Sequence, residues 1–187
     1  MRRDTTLGPN IRSMRILPSA LLALALPWAH ADCQPAAEQA LAAVNALRAR
    51  AQVCGGQPMA AAPPLRWNAM LAGSARLFAD ELAQRGVVTH EGQVSRTLPA
   101  RLRAAGYRVQ RAGENIAAGE QDLDDVLAQW LSSPDHCANL MQPEFQDVGL
   151  ACTDGGTRYA RFWVLHLGAT PEQRRDALLR SSPDRSP

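Results

Sequence analysis

The chain has 187 residues, 46% hydrophobic, 5% aromatic and 20% charged, with 20 basic and 18 acidic side chains. That length suits one domain of ordinary size, and the apolar content excludes a mainly disordered chain. Every basic residue is Arg. With residues 1–31 set aside, 16 of them face 17 acidic residues, which is not the electrostatic footprint of a nucleic-acid binder.

The amino terminus reads as a signal peptide over residues 1–31. Arg12 and Arg15 precede Ile16-Leu17 and an apolar run at residues 20–26. Pro27 and Ala29-His30-Ala31, a small-x-small cleavage pattern, follow. Met14 gives a conventional signal peptide if it is the true start, in which case residues 1–13 lie upstream of it. Cleavage after Ala31 leaves Asp32 as the mature terminus, and no small residue precedes Cys33 as lipidation would need. No run approaches the ~20 apolar residues of a transmembrane helix. The expectation is an exported chain, periplasmic or extracellular after cleavage.

Beyond residue 31 the periodicity predicts elements in order. A first amphipathic helix spans residues 38–50, with Leu41, Val44 and Leu47 on one stripe. Cys54-Gly55-Gly56 and Ala61-Ala62-Pro63-Pro64 then mark a loop. A second helix at 68–85 carries Leu71, Ala75, Phe78 and Leu82, with Asn68 as cap and Gly86 as stop. A short helix covers 99–105 and ends at Gly106. The next, at 122–131, shows Leu123, Val126, Leu127, Trp130 and Leu131 at helical spacing behind an acidic first turn. The last third changes period: residues 148–152 and 159–168 read as strands around the turn Asp154-Gly155-Gly156. After Pro171 little remains to bury. The organisation is an α+β domain over residues 32–170 followed by a flexible tail at 171–187.

Export changes the meaning of Cys33, Cys54, Cys137 and Cys152. An oxidising compartment favours disulfides, and four cysteines allow three pairings. Sequence proximity favours Cys33–Cys54 and Cys137–Cys152, each loop worth about 3 kcal/mol in the chain-entropy model. Zinc ligation is the competing reading, although no CxxC pair is present.

Several segments occur in the order found in a known family. They are Leu65-Arg66-Trp67-Asn68, His90 after the second helix, Gly113-Glu114-Asn115-Ile116-Ala117-Ala118-Gly119, Trp130-Leu131-Ser132-Ser133-Pro134-Asp135-His136, Asn139 and Phe162-Trp163. Over residues 38–168 the chain resembles a bacterial CAP (SCP-like) domain, related to cysteine-rich secretory proteins, venom allergens and plant pathogenesis-related proteins. The resemblance implies a three-layer α-β-α sandwich with an antiparallel sheet and a surface cleft that gathers His and Glu. Carried over by motif, the cleft residues are His90, Glu114 and His136, which also form the implied metal set for a divalent cation such as zinc. Phe162 and Ser133 stand where eukaryotic members place a second His and a second Glu, so a four-ligand site is not expected.

Without the resemblance each cleft residue has a plainer reading: His90 as a loop histidine bonded to backbone, Glu114 as an exposed loop carboxylate, His136 as structural. His166 shares a strand face with Phe162 and Val164 and reads as a spare. Trp67, Trp130 and Trp163 read as core anchors. Three functions compete. The first is a secreted module binding a small ligand or divalent cation through three ligands and a water. The second is a hydrolase using metal-bound hydroxide, or Ser132 or Ser133 with a nearby His. It lacks a Gly-x-Ser-x-Gly elbow and a zincin motif, and the resemblance implies no established reaction. The third is a monomeric interaction domain for an envelope component.

Overall fold

The computed structural model describes residues 32–156 and 158–181. The expected signal peptide and the end of the tail lie outside them. In chain order the elements are α1 (Ala37–Arg48), β1 (Gln52–Cys54), β2 (Gln57–Met59), β3 (Arg66–Trp67), α2 (Ala69–Arg85), α3 (Leu98–Ala104), β4 (Arg111–Ala118), α4 (Leu123–Ser132), α5 (Pro134–Met141), β5 (Asp147–Asp154), β6 (Arg161–Ala169) and α6 (Pro171–Ser181).

The main sheet runs in the order β3-β5-β6-β4, with β1 and β2 forming a separate two-stranded hairpin. The β5–β6 and β4–β6 pairs are antiparallel, and the short β3 joins β5 in parallel. Side-chain alternation sorts the sheet into two faces. Trp163, Leu165 and Leu167 of β6 pack with Val148 and Leu150 of β5 against α1 and α4, where Val44 and Trp130 are buried. Phe162, Val164, Ala151 and Ile116 pack on the other side against Ala75, Phe78 and Leu82 of α2. Two apolar helix stripes on opposite faces of one sheet make the three-layer α-β-α sandwich. Each fully buried Leu or Phe contributes about 1.5–3 kcal/mol.

Local chemistry sets the ends of α2. Asn68 Oδ1 accepts from the backbone N–H groups of Met70 and Leu71, and Gly86 closes the helix at φ +64°. Between them α2 lies so close to the sheet that a Cβ on Gly149 would come within 2.1 Å of the Ala72 nitrogen. Glycine is what allows that approach.

Several expectations need correction. The segment read as a loop around Gly113-Glu114 is β4, a strand at the sheet edge buried from Gly113 to Ala117. Residues 171–181, expected as part of a flexible tail, form the helix α6. It opens with a reciprocal cap in which Gln173 Oε1 accepts from the Thr170 N–H and the Gln173 N–H reaches Thr170 Oγ1.

The disulfide pairing is also different: Cys33 joins Cys152 and Cys54 joins Cys137. Loop-closure entropy changes by only about 0.6 kcal/mol per doubling of length, so packing decides the partners. The segment before α1 lies on β5, where Gln34 Oε1 accepts from the Cys152 N–H at 2.9 Å. The β1–β2 turn abuts α5, and a Cβ on Gly55 would come within 2.7 Å of Pro134 Cβ. No cysteine among the described residues is left to ligate zinc.

Candidate functional site

Strand register places the central carboxylate. Glu114 of β4 lies directly across from His166 of β6, and His166 in turn lies across from Gly149 of β5. Glu114 shares the strand face of Ile116, on the α2 side of the sheet. Its side chain is 4% exposed and the His166 side chain is fully buried. A carboxylate only accepts, so His166 donates Nε2–H to Glu114 Oε2 at 2.8 Å, and His90 donates Nδ1–H to Oε1 at 2.7 Å. The third donor is Arg101 of α3, whose Nη2 reaches Glu114 Oε2 at 2.6 Å and the His90 carbonyl at 3.2 Å. Arg101 Nη1 donates to the Ser95 carbonyl at 3.0 Å, and the guanidinium carbon sits 3.6 Å above the Phe78 ring. Arg101 thereby fixes both the carboxylate and the backbone that carries His90.

Burial alone would raise the Glu114 pKa, but hydrogen bonds from His166 and His90 and the nearby Arg101 charge overcome it, lowering it to about 2. The His90 pKa is raised, first by its hydrogen bond to Glu114. Burial lowers that of His166 against the opposing pull of Glu114, which disfavours the protonated ring. His136 is lowered, first by burial and then by the charge of His90. The two outer imidazoles are therefore displaced in opposite directions from the ordinary histidine value.

Of the three cleft residues expected from sequence, His90 and Glu114 are in direct contact. His136, at the first turn of α5, is linked to the site otherwise. Its backbone carbonyl accepts from Asn115 Nδ2 at 3.0 Å, and its ring senses the charge of His90, without a hydrogen bond to either His90 or Glu114. Asn139 completes the seam between α5 and β4, donating Nδ2 to the Glu114 carbonyl and to Asn115 Oδ1.

Sequence reasoning missed Arg101 and set His166 aside. The shared face of His166 with Phe162 and Val164 pointed to burial, and a buried imidazole needs a partner. Nothing in the spacing singled out Arg101 among 20 arginines.

Among the described residues, no group of three or more His, Cys, Asp or Glu is arranged to hold a metal ion. The expected ligand set of His90, Glu114 and His136 is not assembled as a metal centre, for a physical reason. Glu114 Oε2 already serves a guanidinium and an imidazole, and a divalent cation at that carboxylate would face the Arg101 charge at short range. Of the two serines considered, Ser132 spends its hydroxyl proton on the Gln129 carbonyl of its own helix.

The cysteine-rich secretory protein (CAP) family profile covers residues 41–167. This chain belongs to the CAP family. Its relatives include the uncharacterized protein YkwD of Bacillus subtilis strain 168, 24% identical over 101 residues, or 54% of this chain and 39% of that one. An extracellular protein containing an SCP domain from Bacillus anthracis is 26% identical at a TM-score of 0.58, covering 71% of this chain and 40% of the other. An outer surface protein from Borrelia burgdorferi, 17% identical at a TM-score of 0.57, covers 74% of this chain and is itself covered over 98%. The chain spans about two fifths of each Bacillus protein, so the CAP domain is what they share. No helix among the described residues is long and apolar enough to cross a membrane.

Proposed function

We propose that this chain is an exported CAP domain whose cleft binds a small organic anion at His90, with His136 beside it. The observation that carries the reading is the division of labour around Glu114. Three donors occupy the buried carboxylate, yet 62% of the His90 side chain remains exposed. The carboxylate orients the ring through Nδ1 and favours its protonated form, leaving Nε2–H as an outward charged donor. Charge-assisted hydrogen bonds to a carboxylate or phosphate oxygen are roughly twice as strong as neutral ones. Depressed and neutral, His136 offers the complementary acceptor. Export is supported by the signal pattern at residues 12–31, by two disulfides that persist in oxidising compartments, and by the extracellular Bacillus anthracis relative. A binding role fits better than hydrolysis, because the site presents no activated nucleophile.

Titrating the labelled protein with acetate, inorganic phosphate and zinc while following its histidine side-chain signals tests this. The anions should shift His90, and His90→Ala should abolish that response. Tight zinc binding that displaces His90 and His136 together would replace the anion reading with a metal one.

A further inference from the structure

A second site lies apart from these residues. A cavity of about 410 Å³ opens between β3, the first turn of α2, the turn after α3 and the start of α6, within the usual size range for small-molecule pockets. One of its lining residues is Asp147, 4% exposed, whose two carboxylate oxygens are unequally served. Oδ2 accepts from the Tyr107 hydroxyl at 2.9 Å and from Gln173 Nε2 at 2.8 Å. The Oδ1 atom is approached by Arg66 Nη2 at 3.5 Å, beyond a good hydrogen bond. That Arg66 side chain is 66% exposed, so Asp147 holds it loosely. A second guanidinium, Arg108, also lines the cavity and pairs with Glu172 at 2.7 Å. Trp67, Met70 and Tyr107 supply apolar wall.

The charges select the ligand. Two guanidiniums and two carboxylates stand at or beside the cavity and cancel overall, but Asp147 is anchored by Tyr107 and Gln173 while the exposed Arg66 can turn towards a ligand. A lone anion would meet Asp147 and Glu172, and a lone cation would meet Arg66 and Arg108. A molecule carrying both signs a few ångströms apart meets neither penalty. The floor is also held in advance. A Cβ on Gly168 would come within 2.8 Å of the Tyr107 ring, so that ring rests on the β6 backbone and fixes Asp147 through its hydroxyl. Groups already held in place lose little freedom on binding.

We propose that this cavity binds a zwitterionic α-amino acid with an aromatic or long apolar side chain. Its ammonium group donates to Asp147 Oδ1, its carboxylate takes the Arg66 guanidinium, and its side chain lies on Trp67 and Met70. No residue of the Glu114 site takes part, so the two readings stand or fall separately.

The test uses the full chain and three probes of similar shape: L-phenylalanine, phenethylamine and 3-phenylpropionate. The readout is the Trp67 indole N–H signal, assigned with Trp67→Phe. L-phenylalanine should shift it saturably, and each singly charged analogue should bind about tenfold more weakly or worse, having lost one charged hydrogen bond. Arg66→Gln, at an exposed position, should weaken L-phenylalanine by a similar factor while leaving phenethylamine unchanged. Asp147→Asn should weaken L-phenylalanine as well; should that buried variant not fold, Arg66→Gln and the analogue series decide the matter. An analogue binding as tightly as the amino acid would overturn the proposal. So would a Trp67 signal that none of the probes moves, or L-phenylalanine binding indifferent to Arg66→Gln.

Discussion

Arg48 and Arg101 are both withdrawn from water, and the fold compensates them in opposite ways. Arg48 at the end of α1 is fully buried without a carboxylate partner among the described residues. Its Nε and Nη2 donate to the Pro63 carbonyl at 3.0 and 2.8 Å, and Nη1 donates to the carbonyls of Leu140 and Gln142. The last two lie at the carboxyl end of α5, the negative pole of that helix. Burial lowers the Arg48 pKa to about 10, which leaves it cationic at neutral pH. Arg101 instead meets a formal charge, Glu114, in a pair whose two side chains are 6% and 4% exposed. Neutral dipoles suffice where a cation only ties three segments together. A full countercharge appears where the partner must itself be held ionised and aimed at two imidazoles.

On that distinction, breaking the Arg101 pair from the acid side has the largest effect. Glu114→Ala strands a buried guanidinium and should cost about 3–5 kcal/mol in urea unfolding. The double variant Glu114→Ala with Arg101→Leu should recover part of that loss. Arg48→Met removes donors but leaves no charge behind, so it should cost less, about 2–3 kcal/mol for the carbonyls left unpaired. Equal costs for Glu114→Ala and Arg48→Met would erase the comparison.

Acid titration sharpens it further. The lowered Glu114 pKa gives stability that is present above the ordinary carboxylate value of 4.5 and is lost as pH falls towards about 2. The lowered His166 pKa gives stability present above 6.5 and lost below it, because protonation then favours the unfolded chain. His90 works in the opposite sense: its raised pKa gives a contribution present below 6.5 and lost as pH rises, discounted for the exposure of its ring. Stability measured from pH 7 downwards should therefore fall in two stages, and Glu114→Gln should remove the lower one. Arg48→Met should leave both stages in place. The smallest effect belongs to His90→Ala, less than about 1 kcal/mol at so exposed a position. It should nonetheless raise the His136 pKa, since the charge of His90 helps to depress it; histidine NMR reads this directly.

Sequence and structure agree best where local chemistry decides. The Asn68 cap, the Gly86 stop and the Leu71-Ala75-Phe78-Leu82 stripe define α2 within a residue at its start. The β5–β6 hairpin also announces itself through its apolar run and glycine turn. By contrast β4 reads as a loop, because its Gly, Glu and Asn look unsuited to a strand until their neighbours are known. Gly113 lies where a Cβ would strike Phe145 at 2.7 Å. Glu114 and Asn115 are buried because His166, Arg101 and Asn139 satisfy them. Such reciprocity between distant residues depends on register, which leaves no periodic trace in one sequence. The start of α6 was legible, since Thr170-Pro171-Glu172-Gln173 has the form of a capping box with proline at its first turn. The sparse apolar content beyond it hid that signal.

The nested cysteine bridges also bear on what happens when the backbone is cut. The two links join residues 119 and 83 positions apart, one ring nested within the other. The stretch around Val94, itself 92% exposed, falls inside both rings. A protease cleaving there would leave Cys33 and Cys54 on one fragment and Cys137 and Cys152 on the other. Two covalent bonds would then hold the halves together. Had each cysteine paired with its sequence neighbour, the fragments would share no covalent link at all. With the observed pairing, a nick in that loop ends the continuity of the chain but not its assembly.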